Sequence, residues 1–181
     1  MLTSHPVRTQ WNTEPITDRL HEDKTMATER LIGGSGVGLT WTSCFGTELN
    51  SLASGNAVIS SDIINNATAL DMLADVSVSL GSLSTSLQMP YIGLYIYPLN
   101  QDGSSYGDGR FGSSAAGPPS TLYAVGAIAA PASTAAVVTG MVRGIWLPPG
   151  SFKFLIFNSL GVNFASSSNT VEYRTYNRQV A

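Results

Sequence analysis

The sequence predicts an all-β fold, an antiparallel jelly-roll-like β-sandwich of about eight strands preceded by an N-terminal arm. From about residue 37, short runs of alternating apolar and polar residues are separated by Gly-, Pro-, Asn- and Ser-rich turns, and no convincing amphipathic helix follows residue 31. Short strands without crossover helices favour antiparallel sheets in a sandwich or barrel. Eight strands in roughly 140 residues suit two four-stranded sheets that face each other.

The predicted strands are residues 37–41, 56–64, 73–81, 91–99, 121–129, 136–147, 151–157 and 170–176. Residues 73–81 alternate most clearly, which is typical of a strand buried on one face. Residues 144–158 contain two of these strands on either side of Pro148-Pro149-Gly150, where the ladder must stop. Whether these two strands pair as a hairpin or enter opposite sheets is left open. The richest predicted core material is Ile145, Trp146, Phe152, Phe154 and Ile156.

The chain divides into an arm (1–31), a glycine-rich hinge (32–40) and the β-sandwich domain (41–181). Residues 1–30 hold nine of the 21 Asp, Glu, Lys and Arg residues. Within the arm, Ile16 and Leu20 share one face of a possible helix, but the apolar stripe is too thin to dock firmly. The hinge sequence GGSGVG lacks the preceding strand and the lysine of a phosphate-binding loop, so we interpret it as a flexible joint.

Composition favours a protein that lives in an assembly. Only 12% of the 181 residues are charged and the net charge is -3, against a usual charged share of about 25%. A weakly charged surface favours association over solubility as a lone monomer. No basic cluster suits nucleic acid, and no apolar run is long enough for a membrane-spanning helix. We therefore expect neither nucleic-acid nor membrane partners.

The residues offer little for catalysis, so we expect no enzyme, no metal and no cofactor. Both histidines, His5 and His21, lie in the arm, and Cys44 is the only cysteine. Without a nearby base, Cys44 is interpreted as a small buried residue. Asp71 and Asp75 are the nearest approach to the paired carboxylates of a glycosidase, but the strand pattern places Asp75 on a solvated face.

The long segment 100–120 has two interpretations. Asn100, Asp102 and Asp108 could supply oxygen ligands to Ca²⁺, although the spacing does not fit an EF-hand loop. Otherwise it is a glycine-rich loop that contacts a neighbour, which we favour because loops of this length usually bind something.

Aromatic residues indicate a binding surface. Tyr91, Tyr95 and Tyr97 share one face of the strand 91–99, where they would stack on a sugar if the face were open. Aromatic residues are also typical of protein interfaces, and this is the interpretation we favour. The candidate partner-binding residues are Trp11, Ile16, Leu20, Tyr91, Tyr95, Tyr97, Tyr106 and Phe111.

Residues 91–177, about half of the chain, resemble small virion proteins of tailed bacteriophages. The likeness is carried by GLYIYPLNQDGSSYGDG (93–109), RGIWLPPGSFKFLIFNSLGVNFASS (143–167) and VEYRTYN (171–177). The resemblance implies a jelly-roll-like decoration or cement protein, without catalytic residues, that clamps neighbouring capsomers, often as a trimer.

The resulting expectation is a structural protein at the capsid surface of the virion, which stabilises the shell through its arm and loops. Its expected partners are the major capsid protein and further copies of itself, as a homotrimer. The alternative is a receptor- or glycan-binding jelly roll of a phage tail or fibre. Exposed rings at Tyr91, Tyr95 and Tyr97 would favour the alternative.

Overall fold

The protein is nearly all β. The computed structural model describes residues 29–32, 39–83, 91–100, 114–116, 124–130 and 137–180, and among these the one helical element is a 3-10 turn at Thr47–Leu49. The strands are β1 (Glu29–Ile32), β2 (Thr42–Ser43), β3 (Asn56–Ile59), β4 (Ile64–Asn65), β5 (Leu73–Leu80), β6 (Tyr91–Pro98), β7 (Ser114–Ala116), β8 (Ala124–Ala129), β9 (Val138–Trp146), β10 (Ser151–Ser159) and β11 (Thr170–Val180).

The described strands form two antiparallel sheets. The first sheet has the order β1-β11-β5-β9, and β2 also pairs with β11. The second sheet has the order β7-β3-β10-β6-β8, and β4 also pairs with β10. The sheets pack face to face around one hydrophobic core, so the predicted all-β antiparallel sandwich is confirmed.

The core is built from the inner faces that the alternation predicts. Phe152, Phe154 and Ile156 of β10 are fully buried against Val76 and Val78 of β5. Phe152 and Phe154 meet edge to face, with ring centroids 5.5 Å apart, which is a favoured aromatic geometry. These large buried side chains fill the space between the two sheets.

The outer face of the second sheet is also buried. Its cluster consists of Ala57, Ile59, Tyr95, Tyr97, Leu155 and Phe157. A strand buried on both faces loses its polar alternation and becomes a continuous apolar run. This explains the sequence FKFLIF in β10, where only Lys153 interrupts the run.

The structure resolves the question left open at Pro148-Pro149-Gly150. β9 pairs with β5 in the first sheet, whereas β10 pairs with β3 and β6 in the second. The two strands therefore do not form a hairpin; the chain crosses from one sheet to the other at the prolines. Asn66 holds this crossing, since its side-chain amide donates to the Pro148 carbonyl at 2.9 Å.

Two glycines let β8 and β9 approach each other where the sheets meet. A Cβ at Gly126 would lie 2.6 Å from Cγ1 of Val142, and a Cβ at Gly140 would overlap Ile128. Each glycine therefore makes room for a branched side chain of the other strand. This interdigitation joins the two sheets along one side of the core.

The N-terminal boundary of the sheet differs from the predicted one. Residues 29–31 of the predicted arm and Ile32 of the predicted hinge form β1, which pairs with Asn177–Val180 of β11. Leu31 and Ile32 suit a strand, and β11 continues past its last pair with β5, so β1 can pair with the end of β11. Residues 1–28 and 33–38 lie outside the described residues. So do residues 101–113 and 117–120 of the predicted calcium-binding or contact loop at 100–120, and residues 121–123 of the predicted strand 121–129.

Two predicted strands differ from those of the structure. Residues 39–41 are not in a strand, and the edge strand there is β2, one residue further along. The predicted strand 56–64 is divided into β3 and β4, because the chain bends at Ser61 and Asp62. β1 and β7 were not predicted, because runs of four and three residues are too short to show a period.

Candidate functional site

The outer face of the first sheet carries an exposed aromatic residue beside a small hollow. Leu73 lies in register between Tyr176 of β11 and Trp146 of β9. Trp146 is 69% exposed and its neighbour Met72 is 52% exposed. The hollow has a volume of about 240 Å³ and is lined by Met72, Leu73, Gly144, Trp146 and Arg178. We call these five residues the Trp146 patch.

A β-bulge in β9 turns Trp146 outward. Ala74 pairs with Ile145 and Val76 pairs with Val142, so β9 has one more residue than β5 in this interval. Gly144 has φ 65°, a left-handed conformation that glycine adopts without strain. The extra residue leaves both Val142 and Ile145 facing the core. Trp146, predicted as core material, therefore lies on the outside, and that expectation was wrong.

An ionic cluster lies next to the patch on the same face. Arg174 donates from Nε and Nη2 to Oδ2 of Asp75, at 3.1 and 2.8 Å. The Tyr176 hydroxyl and the Gly144 amide donate to Oδ1, at 2.9 and 3.0 Å. The guanidinium also lies 4.7 Å from the ring centroid of Trp41, within cation–π range.

These contacts set the charge state of Asp75. Burial by itself raises the pKa of the Asp75 carboxyl, but the hydrogen bonds from Arg174, Gly144 and Tyr176 outweigh burial and hold that pKa below its usual range. Asp75 is therefore a buried carboxylate, not the solvated residue that the alternation predicted. Asp75 anchors the bulge, because its carboxylate accepts a hydrogen bond from the Gly144 amide.

Asp71 has separate partners at the end of the sandwich. Thr175 donates its hydroxyl to Oδ2, and Asn177 donates its amide to Oδ1 at 3.0 Å. Asn66 in turn binds both the amide and the carbonyl of the Asp71 backbone. Both carboxylates bind β11, but Asp71 binds Thr175 and Asn177, which alternate along the strand with the Asp75 partners Arg174 and Tyr176. Asp71 and Asp75 therefore bind opposite faces of β11 and do not form the facing pair that a glycosidase needs.

Cys44 is a core residue. It is fully buried, and its Sγ donates a weak hydrogen bond to the Val171 carbonyl at 3.6 Å. Burial, assisted by the carboxylates of Asp62 and Glu48, raises the pKa of the thiol far above its usual range. A thiol that stays protonated is a poor nucleophile.

The structure separates the aromatic residues predicted to bind a partner. Tyr95 and Tyr97 are buried within the chain, and Tyr91 is 38% exposed. Its ring centroid lies 6.4 Å from that of Phe157. The open face of three rings on which a sugar would stack is therefore not formed by these tyrosines. Trp11, Ile16, Leu20, Tyr106 and Phe111 lie outside the described residues.

A wider groove of about 700 Å³ lies at the opposite end of β5. Five of its eleven lining residues are serines, and none is a tryptophan or an arginine; the lining consists of Ser51, Gly81–Leu83 and Val162–Ser168. Tryptophan and arginine dominate the energetics of protein interfaces, whereas serine contributes little. We therefore take the Trp146 patch as the candidate functional site.

Two features are absent from the part of the chain that the structure describes. It holds no group of three or more His, Cys, Asp or Glu side chains that could ligate a metal ion. Nor does it include a helix of the length and apolarity needed to traverse a bilayer.

Sequence reasoning missed Trp146, Met72 and Arg178 as surface residues. The only signal is a pair of glycines, Gly140 and Gly144, within β9, since a glycine inside a strand can mark a bulge without fixing its position. Comparisons of the chain with protein-family models, with curated proteins and with solved structures find no match.

Proposed function

We propose that this chain is a structural virion protein that binds a phage capsid and stabilises it as a cement or decoration protein. One observation carries the proposal. β1 ties the chain to the end of β11 beyond the last β5 pair, Tyr176 with Leu73, so the N-terminal residues leave from the tip of a two-stranded extension. An arm that starts there can reach a neighbour while the sandwich stays intact.

The strand pairing supports a jelly roll, the fold expected of such a protein. The chain pairs like one long hairpin that has been rolled up: β2 with β11, β3 with β10, β5 with β9 and β6 with β8. The two strands of each pair lie in the same sheet, and the chain crosses to the other sheet on passing from one pair to the next. We infer from this order that the sandwich is an eight-stranded jelly roll with three additional short strands.

The composition and the internal salt bridge support a role in assembly. Only 12% of the residues are charged, and Asp75 and Arg174 neutralise each other on the outer face. A surface with few charges costs little to desolvate against a partner. The major capsid protein is the proposed partner, and a homotrimer at the capsid surface is the proposed assembly.

The arm supplies the attachment in this proposal. Any segment that becomes ordered on a shell loses conformational entropy, and the free energy of the new contacts must exceed that loss. Several arms in one oligomer then add avidity, because each bound arm raises the effective concentration of the next.

Removing residues 1–28 tests the proposal. Both the full chain and the truncated chain are sedimented with capsids from a phage genome from which the gene has been deleted. We expect the full chain to sediment with the capsids and the truncated chain to bind at least tenfold more weakly, as avidity from several arms is lost. Circular dichroism checks that the truncated sandwich, which keeps β1, is folded. A full chain that stays in the supernatant would refute the proposal.

A further inference from the structure

The Trp146 patch has the composition of a docking surface. Trp146 and Met72 present exposed apolar area around a hollow large enough for one big side chain, and Arg178 lies at its rim. Arg143 and Met141 extend the surface along β9, where the Arg143 guanidinium lies 3.1 Å from the Met141 sulfur. A partner for this surface needs a large apolar side chain flanked by acidic residues.

The N-terminal arm contains such a segment. Residues 11–23, WNTEPITDRLHED, include Trp11, Ile16 and Leu20 as apolar residues. The same stretch carries four carboxylates and one arginine. Its charge is therefore opposite to that of Arg143 and Arg178 beside the hollow.

The exit of the arm points to a second molecule. β1 is antiparallel to β11, so the chain arrives at Glu29 from beyond the tip at Val180. The five residues before it, KTMAT (24–28), contain none of the Gly, Pro, Asn, Asp and Ser residues that usually reverse a chain. Extended, they carry the arm about 16 Å further from the body. Docking on the chain's own patch would require a reversal between Leu20 and Glu29, where Asp23 is the only residue of these types.

We propose that Trp11–Leu20 of one copy docks on the Trp146 patch of a second copy. The contact joins two different surfaces, so it is heterologous, and it closes into a ring when three copies exchange arms in turn. This deepens the proposed function by naming the contact that holds neighbouring copies together. It does not require a capsid.

Cysteine trapping in the full chain tests the exchange directly. Leu20→Cys in one preparation is mixed with Met72→Cys in another, so that a disulfide between the two new cysteines can form only between chains. The native Cys44 is buried and protonated and does not interfere. The matched control replaces Met72→Cys by Ile63→Cys, because Ile63 is 50% exposed and is not part of the Trp146 patch.

We expect Leu20→Cys with Met72→Cys to give the mixed dimer at least about tenfold faster than the control pair, since docking raises the effective concentration. Adding Trp146→Ser, or reversing Arg143 and Arg178 to Glu, should bring the rate down to that of the control. Equal rates for the two pairs would overturn the proposal. So would a double variant, Leu20→Cys with Met72→Cys in one chain, that cross-links only within the chain. Either failure leaves capsid binding untouched, whereas failed sedimentation leaves arm exchange untouched.

Discussion

At the scale of single residues, the neighbours of a side chain decide its role more than its position in a pattern does. Alternation places Asp75 on the outer face of β5, which is correct, and the same pattern suggests that it is solvated, which is wrong. Arg174 and Tyr176, 99 and 101 residues further along the chain, cover it. Period-2 reasoning identifies a face but not what lies over it.

The buried Asp75 predicts acid-sensitive stability. Because the folded pKa lies below the unfolded value of about 3.9, its contribution is complete above that value and is lost as pH falls through the folded pKa. We expect Asp75→Asn to lower the free energy of unfolding at pH 7 by about 2 kcal/mol, since Arg174 loses its partner. The variant should also show a shallower loss of stability between pH 5 and pH 2. Urea unfolding across this range measures both effects.

Asp62→Asn is the matched control, because Asp62 is exposed and exposed substitutions usually change stability by no more than about 0.5 kcal/mol. Glu48 contributes an acid dependence of its own. Burial raises the pKa of the Glu48 carboxyl, but hydrogen bonds that include those from the amides of Gly46 and Ser61 hold that pKa below its usual value. The quantity to compare is therefore the steepness with which the free energy of unfolding falls as pH falls, in each variant and in the unmodified chain. Identical slopes for Asp75→Asn and the unmodified chain would show that Asp75 is not held ionised.

At the scale of elements, strands with clear alternation or a bounded apolar run were predictable and irregular ones were not. β5 and β11 follow the predicted segments because their inner faces have clear period-2 runs, whereas β6 and β10 were recognisable as apolar runs that end at turns. The sequence did not predict that β9 and β10 enter different sheets, since Pro148-Pro149-Gly150 ends a ladder whether the next strand turns back or crosses over. The exposure of Trp146 depends on the bulge at Gly144, which shifts the alternation by one residue.

The close approach of β8 and β9 predicts that a side chain at position 140 would disturb the packing between these strands. Gly140→Ala adds a methyl group that overlaps Ile128, and we expect it to destabilise the protein by about 1–3 kcal/mol through overpacking. Gly150→Ala is the control, because a Cβ there has nothing within 4 Å and Gly150 has no positive φ. Thermal unfolding of both variants measures the difference.

A double-mutant cycle assigns the cause. Trimming Ile128 to Ala should relieve part of the cost of Gly140→Ala, so the double variant should be less destabilised than the sum of the single variants. Additive effects would place the strain elsewhere than in this contact.

At the scale of the whole molecule, the described residues form a sandwich in which the Cys44 thiol is buried and the carboxylates of Asp71 and Asp75 hold strands in place. Asp71 and Asp75 fix the strand ends and the bulge, and the bulge presents Trp146 outside. These hydrogen bonds hold the bulged sheet in place, and the sheet presents the Trp146 patch close to β1, where the N-terminal arm begins. The proposed capsid binding and arm exchange both follow from this placement.

Electron cryo-microscopy of any virus particles assembled from the genome in which this gene lies tests the proposed role most directly. The account predicts a β-sandwich of this size on the outside of the head, in groups of three, with density from the start of β1 leading to an adjacent copy or to the shell. Heads that lack the protein, or its presence only at a tail or fibre tip, would contradict the account.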